Sequence, residues 1–95
     1  MSEAASCRAD VWLWRARFFK TRSLAAKFVD EGRVRLTHPG QAAHRLDKPA
    51  RPVKVGDQVV FALGGRLVAV TVEALGERRG PPAEARTLYS TLDAA

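Results

Sequence analysis

Apolar residues in the first third of the chain recur at helical spacing in two separate stretches. In the first stretch, one side carries Ala9, Leu13 and Ala16, and the opposite side carries Val11, Trp14 and Phe18. This pattern predicts a first helix from Asp10 to Phe19 with apolar residues on both sides. Asp10 favours the N-terminal turn, because a carboxylate there accepts hydrogen bonds from free backbone N–H groups.

A turn at residues 20–23 separates this helix from a second one. Thr21 or Ser23 can cap the second helix, because a hydroxyl oxygen there accepts a hydrogen bond from a backbone N–H two or three residues later. The second helix is predicted to end at Glu31, since Gly32 lies where a left-handed C-terminal cap needs a residue without a Cβ atom.

The next elements are predicted from alternation and from turn residues. Val34 and Leu36 alternate with arginines, which indicates a half-buried strand. We interpret residues 37–52 as a loop, because they contain a Pro-Gly turn and two further prolines. Two strands follow, Val59–Leu63 and Arg66–Leu75, and a pair of glycines between them predicts a hairpin.

The predicted fold class is α/β in the α+β sense: two N-terminal helices packed on a small, mainly antiparallel sheet, then a short C-terminal helix. Pro82 favours the first turn of that last helix, whose apolar side would contain Ala85, Leu88, Tyr89 and Leu92. A chain of 95 residues favours one domain with one modest core. We expect residues 1–7 to form a disordered tail, residues 8–75 the main domain, and residues 76–95 a loop and the C-terminal helix.

Positive charge is concentrated in the first half of the chain. The net charge is +6. Residues 8–54 contain 12 Arg or Lys against 4 Asp or Glu, whereas residues 55–95 contain 4 against 5. Because such a concentration of like charge repels itself, it indicates a partner of opposite charge. Nucleic acid is the leading candidate, and an anionic membrane, an acidic protein or a merely soluble basic surface are the alternatives.

Basic and hydroxyl side chains cluster around the predicted turn and along the first strand. The N-terminus of the second helix offers free N–H groups beside Lys20 and Arg22, which is typical of a phosphate site. Trp12 and Trp14 are both expected in the core, with stacking of one of them on a base as the alternative. The candidate residues for binding nucleic acid are Arg8, Arg15, Arg17, Lys20, Thr21, Arg22, Ser23, Lys27, Arg33, Arg35, Lys48 and Arg51.

No catalytic or metal-binding motif accompanies these cations. The chain lacks a glycine-rich phosphate loop and a recognisable carboxylate pair, so we predict no enzymatic activity and no cofactor. His38 and His44 lack zinc-site spacing, so we predict no metal and interpret both as solvated loop residues. One cysteine, no signal peptide and no long apolar run favour a cytoplasmic protein without a membrane partner, and a monomer is favoured.

Residues 8–57 resemble the S4 RNA-binding domain, named after a small-subunit ribosomal protein. The matching motifs, in order, are Arg8-Ala9-Asp10, Thr21-Arg22-Ser23, Ala25, Gly32-Arg33-Val34, Lys48-Pro49-Ala50 and Val53-Lys54-Val55-Gly56-Asp57. The resemblance implies a helix-turn-helix and strand unit whose partner is RNA.

A longer resemblance, to the heat shock protein 15 family of stand-alone S4 proteins, covers nearly the whole chain. It is carried by Trp12-Leu13-Trp14, by Arg17-Phe18-Phe19-Lys20-Thr21-Arg22, and by Glu77-Arg78-Arg79-Gly80-Pro81, Glu84-Ala85-Arg86 and Leu88-Tyr89. It implies binding to ribosomal RNA and to large ribosomal subunits that are stalled with a nascent chain on tRNA. The implied RNA surface contains Arg8, the turn, Lys27 and the strand with Arg33 and Arg35.

Two departures from the family pattern stand out. Ala9 replaces a usual leucine, and the segment Thr37–Asp47 is several residues longer than the usual Asn-Gly turn. Two other functions stay open: a DNA-binding helix-turn-helix protein, and an adaptor that binds a protein partner through Trp12 and Trp14.

Overall fold

Two short helices open the fold and pack against one face of a sheet. The computed structural model describes residues 5–92, and the helices are α1, Ala9–Arg15, and α2, Arg22–Asp30. Thr21 caps α2 as predicted, because its hydroxyl oxygen accepts a hydrogen bond from a backbone N–H three residues later, at 3.1 Å. Gly32 follows α2 with a φ of +74°, which confirms the left-handed cap.

Within residues 5–92, seven strands form two antiparallel sheets. Their bounds are Cys7–Arg8 (β1), Val34–Thr37 (β2), His44–Arg45 (β3), Pro52–Val53 (β4), Gln58–Leu63 (β5), Arg66–Val72 (β6) and Tyr89–Thr91 (β7). The main sheet has the order β3-β2-β5-β6-β7, and β1 pairs with β4 separately. Gly64 and Gly65 have positive φ values of +60° and +79°, so the predicted hairpin is confirmed. The predicted fold class is also confirmed.

Aromatic rings from both helices and the central strand form the core. Phe28 on α2 lies against Phe61 on β5 with ring centroids 5.9 Å apart, and Phe19 lies 4.9 Å from Phe28. Trp12 is completely buried, and its indole N–H donates to the Ala74 carbonyl oxygen at 2.9 Å. The core therefore joins α1 and α2 to the sheet and to the segment that follows β6.

The first helix is shorter than predicted and ends at Arg15. Arg17 adopts a left-handed conformation with a φ of +66°. Its N–H donates to the Trp14 carbonyl oxygen at 3.0 Å, and the Phe18 N–H donates to the Leu13 carbonyl oxygen at 3.1 Å. This hydrogen-bond pair is a Schellman cap, which normally has glycine at the left-handed position. The apolar pattern misses the helix end because arginine gives no such signal.

The segment predicted to be a loop, residues 37–52, contains two short strand pairings. His44 in β3 lies opposite Leu36 in β2, so the lengthened segment is a hairpin. Pro52 lies in β4 opposite Arg8, although the prolines of this segment predict that no pairing occurs there. Proline is tolerated because β4 has a single partner strand and its missing N–H interrupts no central ladder.

The predicted disordered tail, residues 1–7, is wrong at its last residue. Cys7 pairs with Val53 in the small sheet. Residues 1–4 lie outside the part of the chain that the structure describes.

The predicted C-terminal helix is wrong beyond its first turns. The α-helix α3 spans only Pro82–Ala85, and one turn of 3₁₀-helix continues it to Leu88. Tyr89 then starts β7, which adds to the open edge of β6. Strand pairing prevails because the β6 edge offers unpaired backbone groups and because the Tyr89 ring packs 4.8 Å from the Phe18 ring.

Trp12→Phe is expected to lower the free energy of unfolding by about 2 kcal/mol, because it removes a buried hydrogen bond and leaves unfilled volume. Trp14→Phe is the matched control. Trp14 is only half-buried, so its replacement should cost less than about 1 kcal/mol. Urea unfolding followed by circular dichroism measures both values. Equal losses would show that the buried indole of Trp12 stabilises the fold no more than the half-buried one of Trp14.

Candidate nucleic-acid interface

The turn between α1 and α2 presents a compact group of exposed polar side chains. Lys20, Thr21, Arg22 and Ser23 are all exposed. At a helix N-terminus the first backbone N–H groups lack intrahelical acceptors and carry partial positive charge. The turn thus combines two cations, two hydroxyl groups and a helix N-terminus, which suits an anionic oxygen.

Arg22 connects this turn to the second tryptophan. Its guanidinium carbon lies 6.0 Å from the centroid of the Trp14 ring, at the outer limit of a cation–π contact. Trp14 is half-buried, whereas Trp12 is completely covered. From sequence, both tryptophans are expected in the core. Trp12 is there, but Trp14 is only partly covered and its ring borders the turn.

Arg8 is held in position by a buried carboxylate. Asp10 is 3% exposed, and its two oxygens accept hydrogen bonds from Arg8 Nε and Nη2 at 3.1 and 3.0 Å. The hydrogen bond to Asp10 raises the pKa of Arg8. Asp10 also accepts from the Val11 N–H at 2.8 Å, which confirms its predicted place in the first turn. About half of the Arg8 side chain stays exposed in a fixed orientation.

Lys48 and Arg51 lie on the loop beside Arg8. The Ala9 N–H donates to the Arg51 carbonyl oxygen at 2.9 Å, which fixes this loop against the start of α1. Both side chains are exposed. Arg51 is paired with Asp47 at 2.8 Å, and this hydrogen bond holds the pKa of Asp47 below its usual range.

Arg15 is turned away from the exposed cations and towards the C-terminal segment. It is half-buried, and its Nη1 donates to the Gly76 carbonyl oxygen at 2.8 Å and contacts Cys7 Sγ at 3.6 Å. Its Nε is buried and has no acceptor among the described residues. Burial also raises the pKa of the Cys7 thiol. These contacts indicate that Arg15 has a structural role, in which it joins α1 to the segment that follows β6.

Two arginines, Arg17 and Arg79, join the end of α1 to the C-terminal segment, and each donates to a backbone carbonyl oxygen of the other segment. Arg17 Nε donates to the Gly80 carbonyl oxygen at 2.6 Å. Arg79 Nε donates to the Trp14 carbonyl oxygen at 3.2 Å. Arg17 is otherwise exposed, and Arg79 is half-buried. Arg79 thus adds a cation beside the turn that is absent from the candidates chosen from sequence.

The cations of α2 and β2 differ in whether a carboxylate lies within ion-pair distance of them. Arg33 stacks over the Phe28 ring at 4.2 Å and lies 3.4 Å from the Glu31 carboxylate. Lys27 is exposed and, with Arg33, lines a shallow cleft of about 270 Å³. Arg35 is exposed on β2, directly opposite Arg45 on β3. In residues 5–92 no carboxylate forms an ion pair with Lys27 or Arg35.

Arg45 is the second cation that sequence reasoning missed. It lies in the lengthened segment that the turn residues predict to be a loop. The signal that would have found it is its alternation with Leu46, which is 1% exposed and donates its N–H to the Val34 carbonyl oxygen at 2.8 Å. This alternation is too short to predict a strand by itself.

His38 and His44 differ in how far they contact the rest of the fold. His38 Nδ1 lies 2.8 Å from Oδ1 of Asp57, which is 1% exposed, so His38 is not the solvated residue expected. His44 is exposed, with its ring 5.7 Å from that of His38. Between residues 5 and 92 there is no group of three or more potential metal ligands. No helix in that range is long and apolar enough to cross a membrane.

Comparison with known proteins gives consistent matches. The S4 domain family matches residues 7–36. Heat shock protein 15 from Escherichia coli strain K12 is 37% identical over 86 residues, which are 90% of this chain and 60% of that protein. The chain therefore spans about three fifths of the length of that relative.

Two further relatives are covered more completely. The RQC P-site tRNA stabilizing factor from Listeria innocua is 30% identical over 89 residues, which are 94% of this chain and 89% of that protein. A trimeric structure of heat shock protein 15 from Vibrio cholerae has a TM-score of 0.77 and 35% identity, covering 93% of this chain and 83% of that chain.

Arg17→Gly and Arg17→Ala form a matched pair that separates strain from charge. Both remove the guanidinium, but only glycine adopts a positive φ without a steric penalty. We expect Arg17→Gly to be about 1 kcal/mol more stable than Arg17→Ala. Both variants should bind nucleic acid equally, and more weakly than the unchanged protein. Chemical unfolding and filter binding give the two values, and equal stabilities would show that residue 17 is unstrained.

Proposed function

This chain belongs to the S4-domain family that includes heat shock protein 15 and the RQC P-site tRNA stabilizing factor, and we propose that it is a non-catalytic protein that binds structured ribosomal RNA. The observation that carries the proposal is the exposed turn 20–23. There, two cations without carboxylate partners in the described residues meet the N-terminus of α2. On this proposal the scaffold supplies positive charge and takes no part in a chemical reaction.

The partner we propose is the large ribosomal subunit. One relative is named as a P-site tRNA stabilizing factor. By analogy, this chain would bind large-subunit RNA on stalled subunits that still hold a tRNA, and it would act in the cytoplasm. RNA of this kind is recognised by its shape and phosphates, so an array of oriented arginines suits it.

Recognition would start with electrostatic attraction and end with oriented contacts. Lys20, Arg22 and Lys27 would meet phosphates at the turn and along α2, and Arg8 would add a guanidinium held by Asp10. Because Arg8 is already oriented in the free protein, less conformational entropy is lost on binding. Arg15 would contribute least to this surface, because it is half-buried and its Nη1 donates to a carbonyl oxygen of the C-terminal segment.

Duplex DNA and a protein partner are less well supported. Beyond Arg22 at its first position, the exposed side of α2 offers Ser23, Lys27 and Asp30, which include few long side chains able to reach base edges in a major groove. A protein adaptor would need an exposed aromatic patch, yet Trp12 is buried and Trp14 is half-covered.

Competition between ribosomal RNA and duplex DNA of equal charge tests the proposal. We expect the purified protein to prefer structured ribosomal RNA at both low and physiological salt. Its oligomeric state should be measured first by sedimentation, because the Vibrio relative is trimeric whereas the sequence of this chain favours a monomer. Equal binding to both competitors that disappears at physiological salt would leave only a nonspecific basic surface and would contradict the proposal.

Salt dependence and Arg22→Ala test the turn. With about five phosphate contacts, the logarithm of affinity should fall with the logarithm of salt concentration at a slope of roughly −3 to −4. Arg22→Ala should weaken binding and reduce the slope by about 1. Its melting temperature should hardly change, because Arg22 is exposed and makes no ion pair within residues 5–92.

Arg86→Ala is the control for Arg22→Ala. Arg86 is also exposed, but it lies outside the turn, in the 3₁₀-helix that precedes β7. The β7 edge of the main sheet is opposite the β3 edge. If both variants weaken binding equally, overall charge and not the turn determines affinity.

A further inference from the structure

We infer that Arg35 and Arg45 form a clamp for one RNA phosphate, and that the lengthened hairpin between β2 and β3 supplies its second half. The inference rests on the proposed function and names a contact within it. The clamp consists of the two guanidinium groups of Arg35 and Arg45. Arg45 belongs to the segment Thr37–Asp47, which is longer than the family pattern.

The strand register brings the two arginines together. Arg35 and Arg45 are direct partners in the antiparallel pair of β2 and β3. Side chains of such partners project from the same face, with Cβ atoms about 4.5–5.5 Å apart. Leu36 and Leu46 are both 1% exposed, so the neighbouring positions face the core and the two arginines face away from it.

This juxtaposition of like charges lacks compensation within the described residues. Cations directly opposite each other on a sheet repel, and no carboxylate between residues 5 and 92 pairs with either of them. Arg33 and Arg51 differ, because Glu31 and Asp47 respectively lie within ion-pair distance of them. An anion placed between Arg35 and Arg45 would reduce the repulsion, so a bound anion would stabilise this pair.

The end of α2 makes room for Arg45. A Cβ atom added to Gly32 would lie 3.1 Å from Arg45 Cδ and 3.6 Å from Arg45 Nε. The missing side chain at Gly32 thus lets the arginine stem lie against the backbone there. Gly32 also has a φ of +74°, so the same glycine ends the helix and accommodates the arginine.

A buried anchor holds the hairpin in register. Asp57 is 1% exposed and binds both His38 Nδ1 and the Lys54 N–H at 2.8 Å. His38 follows β2 directly, so this contact fixes the start of the hairpin loop. The backbone that carries the two arginines therefore needs little ordering when a phosphate enters, which favours affinity.

The chemistry of the clamp suits a phosphodiester. Each guanidinium presents N–H donors in a planar fork, and two forks on one face can donate to both non-bridging oxygens of a phosphate. The contact carries no base specificity, so its effect would be to fix the orientation of the protein on folded RNA.

Fluorescence anisotropy with a labelled stem-loop RNA tests the clamp, using Arg35→Ala, Arg45→Ala, the double variant and the control Arg86→Ala. Each single clamp variant should bind roughly tenfold more weakly or worse, because a charge-assisted contact is lost. Each should reduce the salt slope by about 1. The double variant should bind about as weakly as either single variant, since both arginines share one phosphate.

Arg45→Gln covers the case in which Arg45→Ala unfolds, because glutamine keeps part of the stem over Gly32 while removing the charge. Thermal melting of every variant establishes that it is folded. Clamp variants that bind like Arg86→Ala, or single effects that add in the double variant, would overturn the clamp. The proposed function has a separate readout: it fails if the unchanged protein does not bind RNA or if Arg22→Ala has no effect.

Discussion

The structure depends on burying a seven-residue helix on two opposite sides. So short a helix is not stable alone, and its apolar rows require cover from both directions. The sheet and α2 cover one side, and the segment after β6 covers the other through the Trp12 hydrogen bond to Ala74. Arg15 and Arg17 strengthen that second contact by donating to backbone carbonyl oxygens of the same segment. The position of the turn that follows α1 is thereby determined.

The candidate interface is a consequence of this burial. Once the apolar rows are covered, the charged residues of the turn, of α2 and of β2 have only solvent to face. Their mutual repulsion opposes folding, and the left-handed Arg17 adds strain at the same place. Features that reduce stability and lie together at one surface are typical of binding sites. A bound anionic partner would neutralise the repulsion between the cations there.

The arginines divide into groups with different roles. Arg15 acts inside the fold, and Arg8 and Arg51 are oriented by carboxylates. Arg35 and Arg45 have no such partner in the described part of the chain. A binding surface with both oriented and uncompensated cations can combine attraction over a distance with a defined final geometry.

Local pattern alone determined the two helices, the glycine cap, the central hairpin and the cluster of cations at the turn, because each depends on residues within a few positions of one another. Tertiary structure decided the rest. The end of α1 has no glycine to mark it, and the strand Tyr89–Thr91 forms only because the β6 edge is there to pair with. From sequence, Arg15 is placed with the other candidate RNA-binding cations because it carries a positive charge. The carbonyl oxygens that accept its hydrogen bonds lie some sixty residues further along the chain. Contacts between residues so far apart in the chain leave no periodic signal in sequence.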